Sequence, residues 1–487
     1  MLQSSIDYAR AHGEAHLSML CDWLRIPSIS TLPEHAPDVR RAAQFAASYL
    51  TDMGITHVEV RETKGHPIVY AEWPHPDLQP PTSNLPTLLI YGHFDVQPTD
   101  PAEEWTRPPF EPTVEGNQLF ARGASDDKGQ AFAVLAALES YLETSGRLPV
   151  QVKVLLEGEE EVTSPNLFPY IREHAGELTA DAILIADQEM LSPEHPVIMW
   201  GVRGNLYAEI EVRGPAHDLH SGTFGGAIDN PFNVLVRLLA SLQDAHSRKV
   251  LIPGFYDKVQ ELNDEERALI ARAPINDQIG LYLTGAPALG GEQAYPLAER
   301  VSVRPTLEIH GMAGGFTGEG MKTVIPSKAT AKVSMRLVPE QDPDEIADLL
   351  ENHLRSLCPP TVTLDVRVIG KAQPVKIDYK APAVQAAAEA YEKGFGHKPV
   401  YLRGGGSLPI VQQMIETLSK PDHQIPVVMI GFGLPDDRTH APNEKFSIPN
   451  FYHGIETVIH YLDLFSRISP LIERKQSKPA VTCKFDL

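Results

Sequence analysis

Residues Leu88–Pro98 read "LLIYGHFDVQP". Four residues rich in β-formers, Leu88 to Tyr91, stop at Gly92. His93 and Asp95 then follow, two apart, where the chain should be turning away. An apolar run of this length, bounded by a turn signal, reads as a strand buried on both faces, as in parallel sheets. Ligands of open α/β sheets bind beyond the carboxyl ends of such strands. An imidazole and a carboxylate at that end therefore need a functional explanation.

Three more runs have the same texture: "VQVKVLLEG" (Val150–Gly158), "DAILIAD" (Asp181–Asp187) and "PVVMIGF" (Pro426–Phe432). Between the first two strands, "DDKGQAFAVLAALESYLETSG" has the Ala/Leu periodicity and closing glycine of a helix. Strands alternating with helices predict an α/β domain with a mostly parallel central sheet and flanking helices.

The texture changes near Gly204. "NLYAEIEVRG" alternates, with Leu206, Ala208, Ile210 and Val212 on one face. "NPFNVLVRLLASLQDA" follows as a helix with Pro231 near its start. "RPTLEIHGMAGG" and "KATAKVSMRLVP" read as strands, and "DPDEIADLLENHLRSL" as a helix with Asp342 as N-cap and Pro343 in its first position. "TVTLDVRVIG" closes the set. The order β-α-β-β-α-β predicts a ferredoxin-like α+β unit. The α/β texture returns near Ala383. We therefore expect one domain from 1–203 and 383–487, with a second inserted at 204–382. The stretch from about Ala245 to Arg300 has no assignable pattern.

The chain has 487 residues, enough for two or three domains, and its 42% hydrophobic and 22% charged content is that of a soluble globular protein. A formal net charge of -22 argues against nucleic-acid and anionic-membrane partners. Cys21, Cys358 and Cys483 are scattered and odd in number, so the expectation is a reducing, cytoplasmic setting without a disulfide framework. The opening residues lack a basic segment followed by an apolar core. They read as an amphipathic helix and not as a secretory signal, and no apolar run is long enough to span a bilayer.

Every buried strand delivers acidic or imidazole groups at its carboxyl end. His93 and Asp95 follow the first; Glu159, Glu160 and Glu161 follow "VKVLLEG"; Asp187 ends "AILIAD"; "PVVMIGF" leads to His440. "ARGASDDKG" sets Asp126 and Asp127 just before a helix. Each element alone has a bland reading: a capping Asp, a solvated acidic face, a helix start favoured by the dipole. Their coincidence at equivalent strand ends does not. So many like charges would repel in a partly buried site, and divalent cations remove the conflict. Imidazole plus carboxylate suits Zn²⁺, or Mn²⁺ and Co²⁺ at a more oxygen-rich site. Two ions sharing a carboxylate would use this many ligands.

These motifs resemble the dinuclear zinc peptidases of family M20, which include carnosinases, aminoacyl dipeptidases, aminoacylases and glutamate carboxypeptidases. The resemblance is carried by "GHFDVQP", "RGASDDKG", "LLEGEEEVTS", "LIAD", "DLHSGTFGG", "KTVIPSKATAKVSMRLVP", "RGGGSLP" and "THAPNEKF", which span most of the chain. The dipeptidase branch fits best, through "DLHSGTFGG" and "RLVP". The resemblance implies that His93, Asp126 and Asp187 serve one metal, that Asp126 bridges to the other, and that Glu161 and His440 complete the second site. Asp95 would orient His93. Glu160 would be the general base, with Glu159 or Glu161 as rival registers. A cis peptide is implied between Asp126 and Asp127.

The implied reaction is hydrolysis of dipeptides or short peptides with a free C-terminal carboxylate. A bridging hydroxide would attack while Glu160 handles the proton. His220 would stabilise the oxyanion from the other subunit of a homodimer, making the inserted domain a lid and dimerisation domain. Arg336, with Gly406 and Ser407, would bind the substrate carboxylate. Deacylation of N-acyl amino acids on the same metals is the alternative, and a non-catalytic protein retaining the fold is a third.

Overall fold

The computed structural model describes residues 1–74 and 85–469. The chain divides into two compact units: Met1–Pro196 with Lys380–Lys398 and Thr417–Leu487, and Val197–Tyr379 with Pro399–Glu416.

The first unit is built on strands in the order His57–Arg61, Ile68–Trp73, Gln151–Glu157, Thr87–His93, Ala182–Ala186, Val427–Ile430. The last four are mutually parallel, and the two at the other edge are antiparallel. The run that opens "LLIYGHFDVQP" lies in Thr87–His93, buried at every residue. Such strands are apolar throughout because helices cover both faces of a parallel sheet. Helix Lys128–Ser145 is apolar and buried on nearly all sides and ends at Gly146, whose φ of 64° suits a residue without a Cβ. Helix Ile448–Phe465 starts at Ser447, whose hydroxyl accepts from Asn450 N. Because the four strands run parallel, their carboxyl ends share one edge. His93, the Gly158–Glu161 turn, Asp187 and the loop leading to His440 all leave from it.

The N-terminal segment forms two helices, Leu2–Ala11 and Gly13–Leu24, where one was expected. The break falls at His12–Gly13, where a Cβ on Gly13 would stand 3.0 Å from the Tyr452 ring. Among the described residues no helix is long and apolar enough to cross a membrane. Cys21 and Cys358 are free; Cys483 lies outside the described residues.

The second unit carries a four-stranded antiparallel sheet in the order Thr306–Gly314, Lys328–Leu337, Gly204–Arg213, Thr363–Ala372. This is the ferredoxin-like arrangement that the sequence order predicts. Leu206, Ala208, Ile210 and Val212 are all at 1% exposure or less, packed with Leu235 and Leu238 of helix Pro231–Ala240 and Leu350 and Leu354 of helix Pro343–Leu357. Asp342 caps the latter, accepting from Asp344 N and Glu345 N.

The stretch without a sequence pattern holds three short helices, Asp264–Ile270, Asp277–Thr284 and Leu297–Ser302. Ile270 and Ala298 pack with Trp200 and Val303 in a small separate core. Pro399–Glu416 was expected with the α/β domain but groups with this unit, because Val400–Gly404 pairs in parallel with Val197–Val202.

Candidate metal centre and active site

Asp126 is the hinge of the site. Its Oδ1 lies 3.1 Å from His93 Nε2 and its Oδ2 2.8 Å from His440 Nε2. One carboxylate thus stands between two imidazoles, one at the end of strand Thr87–His93 and the other on the loop that follows strand Val427–Ile430. Asp187 Oδ2 is 3.9 Å from His93 Nε2, and Glu161 Oε2 is 3.2 Å from His440 Nε2. Two groups can each bring one donor atom per residue within 4.8 Å of the others: His93, Asp127 and Asp187, and Asp126, Glu161 and His440. Asp127 is the addition to the sequence-derived set, and its Oδ2 also accepts the His93 backbone N–H at 3.2 Å. The Asp126–Asp127 peptide is cis, as expected.

Hydrogen bonds orient the three glutamates of "GEEE" differently. Glu159 turns away from the centre and accepts from His66 N (2.9 Å), Asn166 N (3.2 Å) and Asn166 Nδ2 (3.0 Å). Glu161 faces His440 and accepts from Gln97 Nε2 at 2.6 Å. The carboxylate of Glu160 has no hydrogen bond among the described residues. Asp95, fully buried, takes the Glu160 N–H on Oδ1 at 3.2 Å and the Glu161 N–H on Oδ2 at 3.1 Å. His93 Nδ1 lies 3.1 Å from the Asp95 carbonyl and 3.4 Å from its Oδ1, so Asp95 also fixes the imidazole.

The electrostatics follow from burial and crowding. Burial, then repulsion from Asp127 and Asp126, pushes Asp187 well above the usual carboxylate range. Burial also pushes Asp127 well up, against the opposing pull of His93. Glu160 is pushed up to about 7, chiefly by burial, with Glu161 and Asp126 adding to it. Hydrogen bonds to Asp126 and Glu161 lift His440 to about 10. Five carboxylates against two imidazoles leave an excess of buried negative charge, and Asp127 Oδ1 is buried without a hydrogen-bond partner among the described residues. Oxygen and imidazole donors with unmet negative charge fit divalent cations.

The remaining predicted residues lie in the second unit. Arg336, on strand Lys328–Leu337, places Nη1 3.2 Å from Ser407 Oγ. Next to Gly406, the Gly405 carbonyl accepts from Arg203 Nε at 3.0 Å. His220 is exposed and caps the short helix Ser221–Phe224, its Nδ1 accepting from Gly222 N at 2.9 Å. Sequence reasoning missed Gln97, the donor to Glu161, and Asp127 as a donor, although both lie inside the quoted motifs.

A mostly parallel α/β sheet that gathers paired imidazoles and carboxylates at its strand ends, around one shared aspartate, defines a metal-dependent hydrolase of the two-ion type. The model of peptidase family M20/M25/M40 matches residues 89–464, and the chain belongs to that family. It is a metallopeptidase.

Among its relatives, the Cys-Gly metallodipeptidase dug1 of Schizosaccharomyces pombe is 32% identical over 463 residues, covering 91% of this chain and 94% of that protein. The M20 family metallo-carboxypeptidase Sso-CP2 of Sulfolobus solfataricus superposes with a TM-score of 0.80 at 34% identity, covering 93% of this chain and 99% of that one. Human carnosine dipeptidase 1 superposes with a TM-score of 0.78 at 28% identity, covering 96% and 99%.

Proposed function

We propose that the protein is a dinuclear metallodipeptidase that hydrolyses dipeptides and short peptides with a free C-terminal carboxylate. The observation that carries this reading is Asp126 between His93 and His440, with Glu160 beside them and its carboxylate without a hydrogen bond among the described residues. His93, Asp126 and Asp187 would hold one divalent ion, and Asp126, Glu161 and His440 the other. The imidazole-containing donor sets favour Zn²⁺, with Mn²⁺ or Co²⁺ as substitutes. When bound, such ions acidify water and polarise a carbonyl.

The chain's own residues do the rest. Glu160 takes a proton from the attacking water and returns it to the departing amine nitrogen. Asp95 keeps Glu160 and His93 in register through the hydrogen bonds described above. Arg336, with Ser407 and the Gly406 backbone, receives the substrate carboxylate through its paired donors. His220 N–H stabilises the oxyanion and is supplied by the second subunit of a homodimer. The unit that holds His93, Asp126, Asp187 and His440 is the catalytic part, and the unit that carries His220 and Arg336 the lid and dimerisation part. Free Cys21 and Cys358 accord with a cytoplasmic location.

The similarity to Sso-CP2 supports a second reading, in which longer peptides lose their C-terminal residue. Turnover of a panel of dipeptides, longer peptides and N-acyl amino acids by metal-loaded protein separates the readings. Preference for dipeptides supports the first, and preference for longer chains or N-acyl amino acids removes it.

A further inference from the structure

The motif "THAPNEKF" supplies His440, but its glutamate has no part in the chemistry above. Glu444 is fully buried, and it is heavily engaged. Its Oε2 accepts from Arg122 Nη1 at 2.8 Å and Gly123 N at 2.9 Å. Its Oε1 accepts from Ser125 N at 2.9 Å and Asp126 N at 3.1 Å. Three of the four donors are backbone amides of the loop that ends in the shared aspartate. Its own carbonyl accepts from Ala121 N at 3.2 Å, closing the same contact from the main chain. Glu444 also sits four residues beyond His440 on one loop. A second tie joins these loops: Asp437 accepts from Ser125 Oγ at 2.9 Å and from Leu434 N at 2.8 Å.

A buried ion pair with Arg122 would account for one contact and leave the three amides unexplained. Amides converging on one carboxylate fix a backbone, and this backbone carries Asp126. We propose that Glu444 is a positioning residue that clamps Gly123–Asp126 to the His440 loop and so sets the spacing of the two ions. The inference rests on the two-ion reading. A glutamine at this position would turn a donor NH₂ toward backbone N–H groups. An aspartate would fall one methylene short.

The ion sharing Asp126 with Glu161 and His440 then has two of its three ligands on the clamped loops, against one of three for its neighbour. Loss of the clamp should weaken that ion more.

The test uses the full-length protein, stripped by chelator and titrated with Zn²⁺ by calorimetry and elemental analysis, with the Co²⁺ absorption spectrum as a fingerprint. In Glu444→Gln the weaker ion should lose about 10–100-fold in affinity and the Co²⁺ spectrum should change. The double variant Arg122→Met/Glu444→Gln removes the stranded guanidinium, so thermal stability should recover while the affinity loss persists. It also carries the test if the single variant fails to fold. Two ions bound at wild-type affinity with an unchanged Co²⁺ spectrum would overturn the clamp. So would metal affinity that returns together with stability in the double variant, because the ion pair alone would then be responsible. If the wild type itself does not bind two ions, it is the two-ion reading that fails.

Discussion

The carboxylate of Asp95 accepts the backbone N–H of Glu160 at 3.2 Å while its other oxygen holds Glu161. One buried side chain therefore pins the backbone of both glutamates, and the Glu161 side chain then meets His440 and Gln97.

The two glutamates should fail differently. Glu160→Gln keeps shape and removes proton transfer, so kcat should fall by about 10²–10⁴ with metal content retained. Glu161→Gln replaces a ligand oxygen and should lose metal. Elemental analysis beside steady-state kinetics checks both, and exchanged behaviours would move the register by one residue.

Removing the ions should abolish hydrolysis. Dialysis against a chelator followed by Zn²⁺, Mn²⁺ or Co²⁺ should restore it, because the buried carboxylate excess needs cations to hold its geometry. Full turnover in rigorously metal-free protein would exclude the two-ion reaction.

Arg336 tests substrate recognition. Arg336→Lys keeps the charge and loses the paired donors, so kcat/KM should still drop sharply. Amidating the substrate's C-terminus should then harm the wild type far more than the variant. Equal losses in both would take Arg336 out of the binding site.

His220 is testable by subunit exchange. Inactive His220→Ala and inactive Glu160→Gln proteins are mixed. If His220 serves the partner's site, each mixed dimer holds one site with both defects and one with neither, so activity reappears. A mixture that stays inactive after confirmed exchange places His220 in its own subunit's site or in none.

Much of this was legible in the letters because apolar runs ending in His or Asp report burial and strand polarity at once. Thr87–His93 and Ala182–Ala186, followed by Asp187, show it. The alternation of Leu206, Ala208, Ile210 and Val212 was equally direct, since one face of that strand is core. What escaped depends on contacts between distant parts of the chain. Glu159 turns away because Asn166 and the His66 backbone wait for it. Pro399–Glu416 joins the second unit through pairing with Val197–Val202, which no local pattern announces. Three helices of six to eight residues hide in Ala245–Arg300 because so few turns leave little periodicity to read.

The pairing of Val427–Ile430 with Ala182–Ala186 has a consequence for biosynthesis. The ribosome makes both halves of that ladder far apart in time, at about 5–20 residues per second. His93, Asp126 and Asp187 emerge early, whereas His440 and the carboxylate of Glu444 arrive only near the end. A nascent chain can therefore present one set of ligands while the other is still incomplete. On the proposed ligand set, both ions can be seated only after translation has passed the C-terminal loop.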